Sequence, residues 1–302
     1  MSKMMRPLIF GEVLFDRFPD GTAVLGGAPF NVAWHLHAFG LKPFMISRIG
    51  HDALGRQVEA AMHGWGMDCS GMQTDSIHPT GTVEVTFIDG EPSYDIAQGA
   101  AYDFIDASLL PQPDDSAWLL YHGSLALRNP CSAAALAKLT EQFTSCRFVD
   151  INLRSPWWQR DTVISLLNGA DWLKLNEDEL AAIYPGVESS SKRLNQISAM
   201  ISQQIVLTGG EHGATAISTG DGSRHSVVPE RVSLVVDTVG AGDAFCSVFV
   251  AGRLLGWPLS LSMQRAQAFA SAVVGIRGAT SGDKAFYQRF IRQWGIKDHH
   301  NV

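Results

Sequence analysis

The segment Asp237–Gly256, "DTVGAGDAFCSVFVAGRLLG", decides how the chain is read. Apolar residues after Asp243 recur at helical spacing, at Phe245, Val248, Phe249 and Leu255, so a helix starts near Ala241. Gly240 and Gly242 let the backbone come close to a ligand. The free N–H groups of a first helical turn and the helix dipole both favour negative charge there. A plainer account fits the same residues: Asp243 caps the helix and the glycines make a turn. The segment alone leaves both open. The pattern G-x-x-x-x-G-K-[ST] is absent, and G-x-G-x-x-G fails because Phe245 stands where the third glycine belongs. A protein-kinase motif set is missing as well. An NAD-dependent dehydrogenase, which needs the dinucleotide fingerprint, is therefore disfavoured.

Upstream of this segment, strand-like and helix-like stretches alternate. Pro7–Phe15 reads as one buried strand, and Ala28–Gly40 as a helix with Phe30, Ala33, Leu36 and Phe39 near one stripe. Further strands are expected at Ala117–Gly123, Cys146–Asn152, Asp171–Asn176 and Gln203–Gly210. Helices are expected at Cys131–Phe143, Thr162–Leu167 and Glu177–Gln203, the last broken at Pro185-Gly186. Short strands follow, then helices Ala241–Leu255, Leu259–Gly275 and Asp283–Trp294. Such alternation predicts an α/β fold, with a mostly parallel sheet covered by helices on both faces. Thr80–Gly99 departs from the rhythm: two alternating runs flank Asp89-Gly90, a hairpin signal.

Of the 302 residues, 46% are hydrophobic and 18% charged, enough for a substantial core. A net charge of −7 argues against a nucleic-acid partner, since phosphate backbones need clustered Lys and Arg. Cys69, Cys131, Cys146 and Cys246 stand far apart, without zinc-ligand spacing, and read as reduced thiols of a cytoplasmic protein. The N-terminal stretch reaches glycine and acids too early for a signal peptide, and no apolar run is long enough to span a membrane.

Asp237–Gly252 resembles the C-terminal signature of the ribokinase-like (PfkB) sugar kinases. "GGAPFNVAWHLHAFG" (Gly26–Gly40) resembles their N-terminal signature, "KLNEDEL" (Lys174–Leu180) holds their N-x-x-E, and "VLTGGEHGA" (Val206–Ala214) resembles their nucleotide-binding strand and turn. These motifs occur in the family's order over essentially the whole chain. The resemblance implies one ribokinase-like catalytic domain, 1–302, that uses ATP and Mg²⁺ on a small sugar. Asp243 matches the family's catalytic base, and the N–H groups of Gly240, Ala241, Gly242 and Asp243 its anion hole. The dipole of the helix start is expected to lower the pKa of Asp243, making it a weak base. Asn176 and Glu179 match residues that hold hydrated Mg²⁺, although their spacing also fits a capping box.

On the sugar side, the resemblance implicates Asp16, expected to end the first strand, with Gly26, Gly27 and Asn31. Asp150, Asn152 and Arg154 alternate at a strand's C-terminal end. They resemble the D-x-N-x-R-x-x-x-W element of fructokinases and 2-keto-3-deoxygluconate kinases, with Trp158 as its tryptophan. Thr208, Gly209 and Gly213 would lie beside the nucleotide phosphates and ribose. Gly278 and Ala279 fall in the region bordering adenine, and Asp237 and Val239 beside a monovalent-cation site for potassium. Val248 departs from the family's usual small residue and is expected to alter packing near the nucleotide. A small β-sheet lid is implied from about 12–23 and 80–99, with a homodimer through it. The expected activity is a fructokinase. The alternatives are a 2-keto-3-deoxygluconate kinase, with Arg154 on the acid, and a sugar or nucleotide sensor without turnover.

Overall fold

A computed structural model describes residues 5–88, 91–112, 116–142, 146–229 and 235–296. The elements of the N-terminal half are β1 (Arg6–Phe10), β2 (Leu14–Arg17), β3 (Ala23–Gly26), α1 (Ala28–Ala38), β4 (Phe44–Gly50), α2 (Ala53–Trp65), β5 (Met72–Asp75), β6 (Gly81–Ile88), β7 (Glu91–Ile96), β8 (Trp118–His122) and α3 (Pro130–Gln142). Then come β9 (Cys146–Asp150), α4 (Arg160–Leu167), β10 (Ala170–Asn176), α5 (Glu177–Ile183), α6 (Ser190–Ser198), β11 (Ile201–Thr208), β12 (Ala214–Ser218), β13 (Arg224–Val227), α7 (Ala241–Leu254), α8 (Leu259–Val273) and α9 (Lys284–Trp294).

The main sheet runs β13-β12-β11-β10-β9-β8-β1-β4-β5. From β11 to β5 every pairing is parallel, and β12 and β13 are antiparallel additions. Strand alternation feeds both faces. Ile9, Met45 and Phe148 pack with α1, α2 and α7–α9, whereas Leu8, Phe10 and Ile46 pack with α3. On that second face Leu173, Leu175 and Ile205 meet α4–α6. A second sheet, β3-β2-β6-β7, stands apart.

The expected single strand Pro7–Phe15 is two strands in two sheets. Gly11 adopts φ +147°, and a Cβ there would meet Pro29 Cγ at 2.6 Å. Only glycine turns the chain so tightly against α1. Asp16 therefore lies within β2 of the small sheet, not at the end of the first main-sheet strand. The expected strand Cys146–Asn152 stops at Asp150, and Asn152 already has φ +44°. The expected helix Glu177–Gln203 is α5 plus α6, with β11 starting at Ile201. β6 and β7 pair antiparallel, but the Asp89-Gly90 turn lies outside the described residues, as does Phe143 at the end of the helix expected there.

Candidate active site

A cavity of about 590 Å³ opens at the C-terminal ends of the parallel strands. The start of α7 forms one wall through Gly240, Ala241, Gly242 and Asp243. Gly240 is the N-cap at φ +77°, and a Cβ there would lie 2.3 Å from Ala279 Cβ. No larger residue fits that turn. Its tightness leaves the first N–H groups of α7 at the cavity edge, where an anion's oxygens would be met. Glu12, Leu14, Asp16, Val83, Tyr94 and Ile96 cover the opposite side. Asn152, Arg154, Asn176, Thr208 and Gly213 line the rest of the predicted set's share.

The acids converge next to α7. Asn31 Nδ2 donates to Asp243 Oδ2 at 2.8 Å. Asn31 is buried, and its own Oδ1 has no partner among the described residues. A Cβ on Gly26 would lie 3.5 Å from Asp16 Oδ2 and 3.9 Å from Asn31 Oδ1, so the bare glycine leaves room between two acceptors. Gly27 caps α1 at φ +108°, and a Cβ there would be 2.7 Å from the Glu12 carbonyl oxygen. Unfilled acceptors around a wet cavity suit a ligand rich in hydroxyl donors.

The expected lowering of the Asp243 pKa is reversed. Asp243 is partly open to the cavity, but the protein around it strips enough water from the side chain to push its carboxyl up to about 6. The Asn31 hydrogen bond opposes the rise, Asp150 adds to it, and Lys174 and Arg154 oppose it. The helix dipole is a partial charge and is outweighed by this desolvation. Asp16 is likewise raised to about 6, by burial first, with Arg154 opposing.

Behind the wall lie two buried networks. Lys174 Nζ pairs with Asp150 Oδ1 at 2.9 Å, and Tyr121 Oη donates to Asp150 Oδ2 at 3.0 Å. The Cys246 thiol lies 3.2 Å from the same oxygen. Asp150 thus does not line the cavity as its alternation with Asn152 and Arg154 predicted: the strand ends, and its carboxylate stays inside with Lys174. On the other side His35 bridges the Tyr287 hydroxyl and the Ala279 carbonyl, each at 3.0 Å. Burial holds this ring neutral, with its pKa near 3. Ala279 is the residue that backs Gly240, so the network fixes the α7 turn from behind.

Asn176 and Glu179 form the capping box that their spacing allowed. Asn176 Oδ1 accepts from Glu179 N at 2.7 Å, and Glu179 Oε2 accepts from Asn176 N at 2.8 Å. Glu179 Oε1 takes the Leu153 N–H, also at 2.8 Å, tying α5 to the loop that carries Arg154. Asn176 reaches the cavity and Glu179 does not. Asp237 accepts from Val239 N and Gly278 N, each at 3.0 Å. It staples the segment before α7 to the one after α8. Val239 lines the cavity, whereas Asp237, Gly209, Gly278 and Ala279 do not.

The model of the pfkB family carbohydrate kinases matches residues 8–285. The chain belongs to that family. A fructokinase of Klebsiella pneumoniae is 31% identical over 258 residues, 81% of this chain and 83% of the relative. The fructokinase of Vibrio cholerae O395, solved with fructose, ADP and calcium, superposes with a TM-score of 0.79 at 26% identity, over 94% of this chain and 98% of that one. Fructokinase of Xylella fastidiosa, solved with ATP, gives a TM-score of 0.84 at 19% identity, over 97% and 99% of the two chains, and speaks to the fold alone. This pfkB carbohydrate kinase is a sugar phosphotransferase of ribokinase-like fold.

Two charged residues lining the cavity escaped the sequence reading. Glu12 sits inside an apolar run and looked like a strand residue. Lys174 lines the cavity, with its Nζ 3.4 Å from where a Gly242 Cβ would stand. Its signal was present: a lysine in an otherwise apolar buried strand needs a partner. Val248, expected near the nucleotide, is fully buried in the core under α7 and does not reach the cavity. Trp158 packs at the rim of the α4–α6 core instead of lining the site.

Proposed function

We propose that this carbohydrate kinase transfers the γ-phosphate of ATP to a primary hydroxyl of a neutral sugar, fructose first. The observation that carries the reading is the meeting of Asp243, held by Asn31, with the N-terminal turn of α7 and the unfilled acceptors of Asp16 and Asn31. Asp243 takes the proton of the attacking hydroxyl. With a pKa near 6 it is mostly ionised at pH 7, yet more basic than an exposed aspartate. The N–H groups from Gly240 to Asp243 meet the charge on the moving phosphoryl group, whose loose transition state rewards positioning. Since the base must be ionised, kcat at saturating sugar should fall about tenfold per pH unit below about 6; a kcat profile flat down to pH 5 removes Asp243 from this role.

Charge favours a neutral acceptor. Glu12, Asp16 and Asp243 surround the one guanidinium of Arg154 at this end of the cavity. A sugar acid would add a further negative charge. It remains the second reading because Arg154 Nη1 bonds only the neighbouring Leu153 carbonyl, at 3.1 Å, leaving donors for a carboxylate.

ATP enters as its magnesium complex. Asn176 reaches the cavity and Glu179 does not, so a hydrated ion on the phosphates would meet this pair through water, not by direct ligation. Among the described residues no cluster of three His, Cys, Asp or Glu forms a metal site of its own. Each Asp237 oxygen accepts a single N–H and keeps a lone pair, which suits potassium beside Val239. The small sheet serves as the lid of a single catalytic domain and excludes water from the transfer. Its edges, β3 and β7, are where two copies would pair. The free cysteines fit a cytoplasmic setting.

One panel tests the reading: fructose, 2-keto-3-deoxygluconate, ribose and adenosine, each with ATP and Mg²⁺ in potassium and in tetramethylammonium buffer. Fructose should give the highest kcat/KM. Preference for the keto acid selects the second reading, and no turnover on any acceptor leaves a binding protein.

A further inference from the structure

One buried acid of this cavity has no task in the transfer just described. Glu12 follows Gly11 where the chain leaves β1 for the small sheet. It is 3% exposed, lines the cavity, and its Oε2 has no hydrogen-bond partner among the described residues. A buried carboxylate oxygen without a donor is costly, so something outside the chain is expected to satisfy it. The fold uses this residue through its main chain, whose carbonyl packs on Gly27.

The charged and titratable groups facing Glu12 are Arg154 from the loop after β9, Asp243 on α7, Asp150 on β9, and Tyr102 and Arg128 from the segment between β7 and α3. None donates to Oε2. Arg128 spends Nε and Nη2 on Asp103, Tyr102 and Ala97, and its buried Nη1 has no partner among the described residues and does not bond Glu12; Asp150 is held by Lys174. Asn31 Oδ1 is a second orphan at the same end of the cavity. Two unfilled acceptors beside Asp243 call for a ligand with at least two hydroxyl donors besides the reacting one.

Resting on the sugar-kinase reading of the site, we infer that Glu12 is a sugar-specificity residue whose Oε2 accepts a hydrogen bond from an acceptor hydroxyl other than the one that Asp243 deprotonates. The consequence is a proton-linked affinity. Burial pushes the Glu12 carboxyl up to about 7, Arg154 opposes this, and Asp243 and Asp150 add to it. A hydroxyl donor favours the carboxylate, so sugar binding expels the proton. Only about one site in ten is ionised at pH 6 and about nine in ten at pH 8, so affinity should fall about tenfold as the pH drops from 8 to 6.

Calorimetric titration of the full chain with fructose at pH 6, 7 and 8 tests this, beside steady-state kinetics. Glu12→Ala should weaken fructose about tenfold or more, the loss of one charge-assisted hydrogen bond, with kcat and the KM for ATP within about threefold. Glu12→Gln keeps an acceptor but cannot titrate. It should bind fructose with a shallower pH dependence than wild type and with less proton release at pH 7. Asp16 and Asp243 titrate near 6 in both proteins, so the difference isolates Glu12. Wild-type fructose affinity in Glu12→Ala, or the wild-type pH slope in Glu12→Gln, overturns the inference while the kinase reading stands. A wild-type chain that neither binds nor phosphorylates fructose overturns both.

Discussion

Replacing Asp243 by Asn is expected to cut turnover by roughly 10³-fold or more, with nucleotide affinity changed by less than about threefold. The substitution keeps the shape of the side chain. An Asn at 243 can still present an oxygen to the Asn31 amide, which now donates to Asp243 at 2.8 Å. The turn at Gly240 is held by Ala279 and does not depend on the carboxylate. What vanishes is the proton acceptor, together with a negative charge beside the attacking hydroxyl. Coupled-assay kcat on the preferred sugar and equilibrium binding of a non-hydrolysable ATP analogue read the two halves separately. Unchanged kcat would remove Asp243 from the chemistry, and lost nucleotide binding would make it a structural residue.

Lys174→Met should cost about 3–5 kcal/mol of stability, because it leaves a buried carboxylate without its counter-ion. The side chains of Lys174 and Asp150 are only 8% and 1% exposed. Burial alone would push the lysine down, but Asp150 holds it firmly charged, well above its ordinary pKa. After the substitution, Asp150 keeps only the Tyr121 hydroxyl and the Cys246 thiol. At roughly 2–4 °C per kcal/mol, Tm should fall by about 10 °C. The paired change Lys174→Met with Asp150→Leu should regain most of that loss, since an apolar pair of similar volume restores a compensated interior. Thermal and denaturant unfolding measure both. A single variant within about 1 kcal/mol of wild type would show that water reaches the pair.

The motifs that occupy contiguous strings were legible: Gly240–Asp243, Gly26–Asn31 and Asn176 with Glu179 carry their geometry in their spacing. The parallel sheet was legible too, because buried strands and capped helices alternate with clear punctuation. What escaped depends on contacts between distant segments. Asp150 and Lys174 sit directly across from each other in the β9–β10 register, which converts an apparent ligand into a buried ion pair. The first strand looked continuous because Leu14 and Phe15 are as apolar as Leu8 and Ile9. Only a glycine at position 11, where a Cβ would collide with Pro29, lets the chain turn into a second sheet and carry Glu12 to the cavity. The Asp243 pKa was misjudged because a dipole can be read from a helix start, whereas desolvation depends on what packs around it.

No strand pairing joins the two sheets among the described residues. Asp16 and Tyr94 ride on the small one, while Asp243 and the Gly240 turn are fixed by α7 and the packing behind it. The two halves of the active site therefore evolve on separate scaffolds. Residues of β2, β6 and β7 thus line one part of the cavity, and the first turn of α7 lines another. Any shift of the small sheet against the main one therefore changes the distance between Asp16 and Asp243 while leaving the surroundings of each intact.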